Sequence, residues 1–310
     1  MRVFLAGATG VIGRRLVPRL VEAGHEVTGM TRSPAKRDQL RAAGAEPVLA
    51  DAFDAAAVRA AVSAARPDAV IHQLTSIPAR INPRRMASEF AANDRLRSEG
   101  TRILVEAAQA AGVERILAQS IAFAYAPGPP GTVHREEDRL HTDAPEPFRR
   151  SARALDELER TVASAGGISL RYGYFYGPGS AISPRGSTGE DVSRRRLPIV
   201  GHGQGVWSFI HVDDAAAATL AALSVDGPRV YNIVDDDPAP VAQWLPALAD
   251  ALGAPRPRRV PAWLARPLAS SYGVGIMTGA QGASNELARR ELAWTPTHPS
   301  WREGFRTALG

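Results

Sequence analysis

Along the first 120 residues, short unbroken apolar runs alternate with stretches that are apolar on one side only. The run R-V-F-L-A-G (2–7) predicts a buried strand, and residues 11–23 predict a helix with Pro18 near its middle. Residues 25–31 predict a second strand, 34–43 a helix and 46–50 a third strand. A helix at 55–65, a strand at 68–74, a long helix at 86–111 and a strand at 115–120 complete the first half. Strand and helix in strict alternation build a parallel sheet with helices on both faces, so the fold class predicted is α/β, a Rossmann-type doubly wound parallel sheet.

The second half is more interrupted. Residues 126–147 hold five prolines and no helical period, which predicts a long loop. A helix is predicted at 156–165, a strand at 168–172, and a second long loop rich in Gly, Ser and Arg at 177–205. W-S-F-I-H-V-D-D (207–214) leads into a helix at 213–224, and a strand follows at 229–234. Helices are predicted at 240–252 and 284–292. Long loops at the strand ends of such a sheet usually carry function.

Composition narrows the chemistry. The chain has 310 residues and no cysteine, which excludes disulfides, thiolate catalysis and Cys-based metal sites. No metal site is predicted. No apolar run approaches the ~18 residues of a membrane span, and the chain opens on a strand instead of a leader, so the expectation is a cytoplasmic soluble protein. The net charge is +5, carried almost wholly by arginine, with Lys36 the single lysine. The densest basic run, Arg194-Arg195-Arg196, lies in a predicted loop without interleaved aromatics. Neither nucleic acid nor membrane is predicted as a partner, and the oligomeric state is left open.

The sharpest local motif is G-A-T-G-V-I-G (7–13), set between the first strand and the first helix. Gly7 permits the sharp turn, Gly10 lets the backbone approach a pyrophosphate, and Gly13 lets helix and strand pack closely. Thr9, Val11 and Ile12 complete the turn, and the helix start offers free N–H groups to phosphates. A dinucleotide site follows. The second strand ends in Met30-Thr31-Arg32-Ser33, with no acid before Asp38. An NAD site wants a carboxylate there for the ribose 2′-hydroxyl, whereas Arg32 suits a 2′-phosphate, helped by Arg14, Lys36 and Arg37. The predicted cofactor is therefore NADP(H).

With these residues, the chain resembles the extended short-chain dehydrogenase/reductase family along nearly its whole length. Further matching blocks are Asp51-Ala52, Gln73-Leu74-Thr75, Asn93 with Gly100-Thr101, L-R-Y-G-Y-F-Y-G-P-G (170–179), S-F-I-H-V-D-D-A-A (208–216), Y-N-I (231–233) and E-L-A-W-T-P (291–296). The resemblance implies that Asp51 and Ala52 meet the adenine and that Leu74 and Thr75 wall the nicotinamide-side ribose. Tyr172 and Tyr174 are taken with the coenzyme contacts. It also implies a division: residues 1–176 mainly a coenzyme-binding domain, with 206–235 returning to it. Residues 177–205 and 236–310 then form a smaller C-terminal substrate lobe with lid loops.

The match breaks at the chemistry. The family positions its carbonyl with Ser or Thr, protonates it with Tyr, and holds the ribose with a Lys four residues later. Here Ile121, Phe148 and Ala152 occupy those positions, and no lysine follows residue 36. The departure resembles the atypical branch of the family, which contains NADP-binding regulators and reductases without the tyrosine. Ser120 and Tyr125 are the weak candidates for a replacement donor. Tyr172, Tyr174 and Tyr176 alternate, which would put them on one face of a strand. His72 and His211 read as structural, Asp213-Asp214 as a helix cap, and Trp294 and Trp301 as core anchors. The function expected is an NADPH-dependent ketoreductase acting on a bulky aromatic, polyketide-type ketone. Its proton would come from substrate or water. The alternative is a non-catalytic NADP(H) sensor; a sugar epimerase needs the missing acid and base.

Overall fold

The apolar runs become seven parallel strands: β1 (Arg2–Ala6), β2 (Glu26–Thr31), β3 (Ala45–Leu49), β4 (Ala69–His72), β5 (Arg115–Ile121), β6 (Ile168–Tyr172) and β7 (Arg229–Ile233). Their order across the sheet is β7-β6-β5-β4-β1-β2-β3. Every neighbouring pair is parallel. The order reverses beside β1, and the crevice at the carboxyl ends of β1 and β4 is where such sheets bind ligands. The computed structural model describes residues 1–82 and 85–309, with 267–272 described by backbone alone.

Helices cover both faces. On one, α1 (Gly13–Glu22) packs beside the helix Val212–Ala221 over a core of Leu5, Leu16, Ile71, Tyr172 and Tyr231. Pro18 sits inside α1, which runs on through it. On the other, α2 (Ala55–Ala65), α3 (Thr101–Ala110) and α4 (Phe148–Ser164) bury Phe4, Val70, Leu104, Ile116 and Leu158. The predicted helix 86–111 is split into Met86–Glu89, Ala91–Arg95, a π-helical turn Leu96–Gly100 and α3. α4 starts eight residues before the predicted helix, because the Arg-rich stretch 149–153 hides an apolar face at Phe148, Ala152 and Leu155.

The tyrosine alternation does not hold as a single strand. The chain breaks at Gly173, where a Cβ would lie 2.6 Å from the Ser208 carbonyl oxygen. Beyond it, Tyr174–Tyr176 leaves the main sheet to pair with Phe209–His211. Tyr172 thus stays in the sheet core while Tyr176 enters the C-terminal lobe. That lobe has its own core of Trp207, Phe209, Trp244, Leu245, Trp301 and Phe305. The helices Ser187–Ser193, Ala262–Thr278 and Trp301–Leu309 were not predicted. Trp294 and Trp301 are buried, as core anchors should be, whereas Trp263 is 72% exposed. No helix among the described residues is long and apolar enough to cross a membrane.

Candidate active site

The glycine turn has the geometry its residues promise. Gly7 adopts φ +91°, and a Cβ there would lie 2.5 Å from the Gln73 carbonyl oxygen. A Cβ on Gly13 would lie 2.3 Å from the Gly7 carbonyl oxygen, so α1 can approach β1 only with glycine at this point. Gly10 is exposed, and its N–H donates to the Gly7 carbonyl. α1 opens without a side-chain cap and with no acid in its first turn. The N–H groups of Arg14 and Arg15 already donate to the Gly10 and Ile12 carbonyls, so an anion is met by the backbone of the turn ahead of them. Thr9 and Val11 are partly exposed, whereas Ile12 is buried in the sheet core, which leaves only its backbone for a ligand. These features fit a dinucleotide pyrophosphate.

Arg32 is exposed at the end of β2, as are Lys36 and, at the end of β3, Asp51. Arg14 belongs elsewhere: its guanidinium lies against Gly179, where a Cβ would come within 3.1 Å of it. Its neighbour Arg15 donates to the Pro178 carbonyl. Asp51 accepts from the Phe53 N–H at 2.9 Å, and Ala52 is buried behind it. After β4, Leu74 and Thr75 are held in place from both sides. The Leu74 N–H donates to His72 Nδ1, and the Ser76 N–H donates to Asn93 Oδ1. His72 Nε2 is paired with Thr101, and burial pushes the imidazole down to about 4, so it is neutral.

Ser120 and Tyr125 are both buried and already paired. The Ser120 hydroxyl donates to Glu159 at 2.6 Å, and both groups are buried. Tyr125 donates to Asn232 at 2.6 Å and accepts from Arg171 at 2.8 Å. Burial pushes its phenol up to about 12. Arg171 closes the network with two hydrogen bonds to Glu159. Burial alone would lower its pKa, and Glu159 overrides that to keep it charged. Both candidate donors are therefore parts of a buried brace between α4, β6 and β7. Glu159 anchors that brace.

Tyr172 is likewise fully buried, with its hydroxyl between Gln73 and Thr219. Tyr174 is partly exposed and stacks between Phe123 and Trp207. The helix Val212–Ala221 is capped by His211, not by the aspartates: His211 Nδ1 accepts from the Asp213 N–H. Asp214 instead accepts from the N–H groups of Thr297 and His298 and from both side chains. His211 stacks on His298 at 3.8 Å, so this His–Asp–His group ties the C-terminal turn to the sheet.

The three positions where the family keeps its Ser, Tyr and Lys come together as one apolar cluster. Ile121, Phe148 and Ala152 pack with Met86, Ala124, Leu140 and Leu155, and Phe90 and Phe123 lie against them. Ala152 is fully buried, and Ile121 and Phe148 are 8% and 7% exposed. Leu155, one turn on from Ala152, lies in the same cluster. Asp94 escaped notice in the sequence. It is buried beside α4, bonded to Ser151, with burial pushing its carboxyl up. Only its three-dimensional neighbourhood marks it.

Comparison with known proteins fits this frame. Residues 3–234 match the model of the NAD dependent epimerase/dehydratase family. A 3-diazoavenalumate denitrifying reductase from a Streptomyces species is 50% identical over 310 residues, covering 98% of this chain and 99% of the relative. A 2-alkyl-3-oxoalkanoate reductase from Stenotrophomonas maltophilia is 25% identical, covering 83% of this chain and 77% of that one. In fold, the chain is similar to the crystal structure of the Thermus thermophilus UDP-glucose 4-epimerase in complex with NAD. The TM-score is 0.75 at 24% identity, over 99% of this chain and 97% of that one. The chain belongs to the NAD dependent epimerase/dehydratase family of extended short-chain dehydrogenase/reductases, and within it is an NAD(P)-dependent reductase.

Proposed function

We propose that the protein reduces an aromatic diazonium carbon, replacing its N2 group with hydrogen at the expense of NADPH. The observation that carries this reading is the apolar cluster at Ile121, Phe148 and Ala152. A ketone accepting hydride builds negative charge on oxygen, and a positioned acid there is worth ~10²–10⁴ in rate. A diazonium carbon has no such need. Hydride brings the electron pair of the new C–H bond, the C–N pair departs with N2, and no proton enters the balance. An active site for that step has no use for a tyrosine acid or for the lysine that tunes it. A cation at position 152 would moreover repel the cationic substrate. The half-identical relative named as a denitrifying reductase of a diazo compound supports the same choice.

Bound at the glycine turn, a reduced nicotinamide coenzyme supplies the hydride. In this reading, Gly7, Thr9, Gly10 and Gly13 hold its pyrophosphate, with the backbone of Val11 and Ile12. Arg32, with Lys36 and Arg37 near it in sequence, meets a 2′-phosphate. Asp51 and Ala52 meet the adenine, and Leu74 and Thr75 flank the nicotinamide ribose. Residues 1–176 and 206–235 then carry the coenzyme, and 177–205 with 236–310 carry the substrate. Tyr174, stacked between Phe123 and Trp207, belongs to the substrate side.

A second reading is a ketone on an aromatic, polyketide-type skeleton, as in reductases that tailor angucyclinones, with the proton drawn from a neighbouring phenol. The relative named as a 3-oxoalkanoate reductase favours it. The deciding experiment supplies deuteride-labelled NADPH and a ¹⁵N-labelled arenediazonium, read against the rate without enzyme. The diazonium reading expects ¹⁵N2 and one deuterium on the arene for each coenzyme oxidised. Coenzyme oxidation by ketones alone would overturn it, and oxidation by neither would leave the sensor.

A further inference from the structure

Three aromatic rings stack face to face where the sheet meets the lobe. Phe123 lies 4.1 Å from Tyr174 with the planes 13° apart. Tyr174 lies 3.9 Å from Trp207 with the planes 15° apart. Trp207 then leans on the fully buried Trp244 at 4.6 Å and 37°. The column is fixed at its inner end, because the Trp207 Nε1–H donates to the Ile276 carbonyl at 3.0 Å. It is fixed at its middle too, where the Tyr174 N–H donates to the Ser208 carbonyl at 2.8 Å.

The arrangement is unlike ordinary packing in this lobe. The core rings of Tyr176, Phe209 and Phe305 meet edge to face, at interplanar angles of 77° to 86°. Edge-to-face contacts are a common way for neutral rings to share a core. The column instead keeps its planes parallel, and Phe123 at its end and Tyr174 at its middle are both only partly buried. Phe123 stands two residues beyond Ile121, at the carboxyl edge of the sheet, and its ring packs against the apolar cluster at positions 121, 148 and 152. The column thus ends beside the positions where the family carries out its reaction.

We propose that the Phe123–Tyr174–Trp207 stack is the wall that recognises the substrate, taking a flat arene and favouring a cationic one. Both faces of Tyr174 are taken by its neighbours, so a planar ligand meets the column at the outer face of Phe123, which carries the negative end of that ring's quadrupole. A positively charged diazonium arene is attracted to such a face beyond its hydrophobic burial. This inference rests on the diazonium reading above and names which residues select that substrate.

The test pairs a carboxylate-bearing benzenediazonium with the corresponding cyanobenzoate. The nitrile has the same shape as the diazonium group and carries no charge on it. Phe123→Leu keeps an apolar side chain and removes the ring; Phe123→Tyr keeps the ring and controls for folding. In Phe123→Leu, kcat/KM for the diazonium should fall about five- to thirty-fold, the range a cation–ring contact supplies. The inhibition constant of the nitrile should rise by no more than about threefold, and coenzyme affinity should stay within about twofold. Phe123→Tyr should restore the diazonium value. Equal losses for both ligands would overturn the charge preference, and no loss for either would overturn the wall. If the natural protein fails to turn over the diazonium while Phe123→Leu still weakens the nitrile, the wall stands and the reaction assignment falls.

Discussion

Individual side chains decide the chemistry by what they already hold. Tyr125 has the residue type of an acid, but its proton is committed to Asn232 and its oxygen accepts from Arg171. Tyr125→Phe should therefore lower stability by about 1–3 kcal/mol, the cost of leaving buried polar partners unmet. The hydride step should stay within a few-fold, read by denaturant unfolding beside single-turnover kinetics. A collapse of the hydride step at unchanged stability would restore Tyr125 as the donor. Arg32 is a different case, exposed and in place at the end of β2. Arg32→Glu should weaken NADPH at least about tenfold more than NADH in a fluorescence titration, since it sets a carboxylate against the 2′-phosphate and in reach of a 2′-hydroxyl. Equal losses for the two coenzymes would undo the NADP assignment. The glycine turn was legible from sequence because each glycine answers a local steric demand. Tyr125 and Glu159 were not, because their partners lie 107 and 12 residues away in the chain.

At the level of elements, the strands of the sheet were readable because they are short, apolar and bounded by polar turns. The helices of the lobe were not. Ala262–Thr278 carries Pro267, Gly273 and Gly275, residues that read as helix breakers, and Trp301–Leu309 shows its face at Trp301, Phe305 and Leu309 over too few turns to stand out. The break at Gly173 was also hidden, because alternating tyrosines read the same whether the strand continues or changes sheets. The start of the helix Val212–Ala221 makes a measurable claim. Burial, with His298 beside it, depresses His211 to about 4 from the usual 6.5, and burial does the same to His72. A base lowered in the folded state is protonated first in the unfolded chain, so stability falls as pH drops from about 6.5 toward 4. The melting temperature should therefore be lower at pH 5 than at pH 7. His211→Asn, whose amide oxygen still accepts from the Asp213 N–H, should show a shallower slope, and an unchanged slope would contradict the assignment.

The whole molecule joins a coenzyme sheet of the family type to a lobe with its own aromatic core. The two are tied by Arg15 on the Pro178 carbonyl and by Arg80 on Glu190 and Asp191. Between them, the positions that protonate a carbonyl in the wider family are closed into an apolar cluster. On the diazonium reading proposed above, the protein delivers a hydride without a proton. Proton uptake per coenzyme oxidised tests this most directly, followed with a pH indicator in weak buffer while an arenediazonium is reduced. No proton should be consumed per turnover, and N2 should be released in equal amount. One proton taken up for each coenzyme oxidised, with no gas evolved, would contradict it.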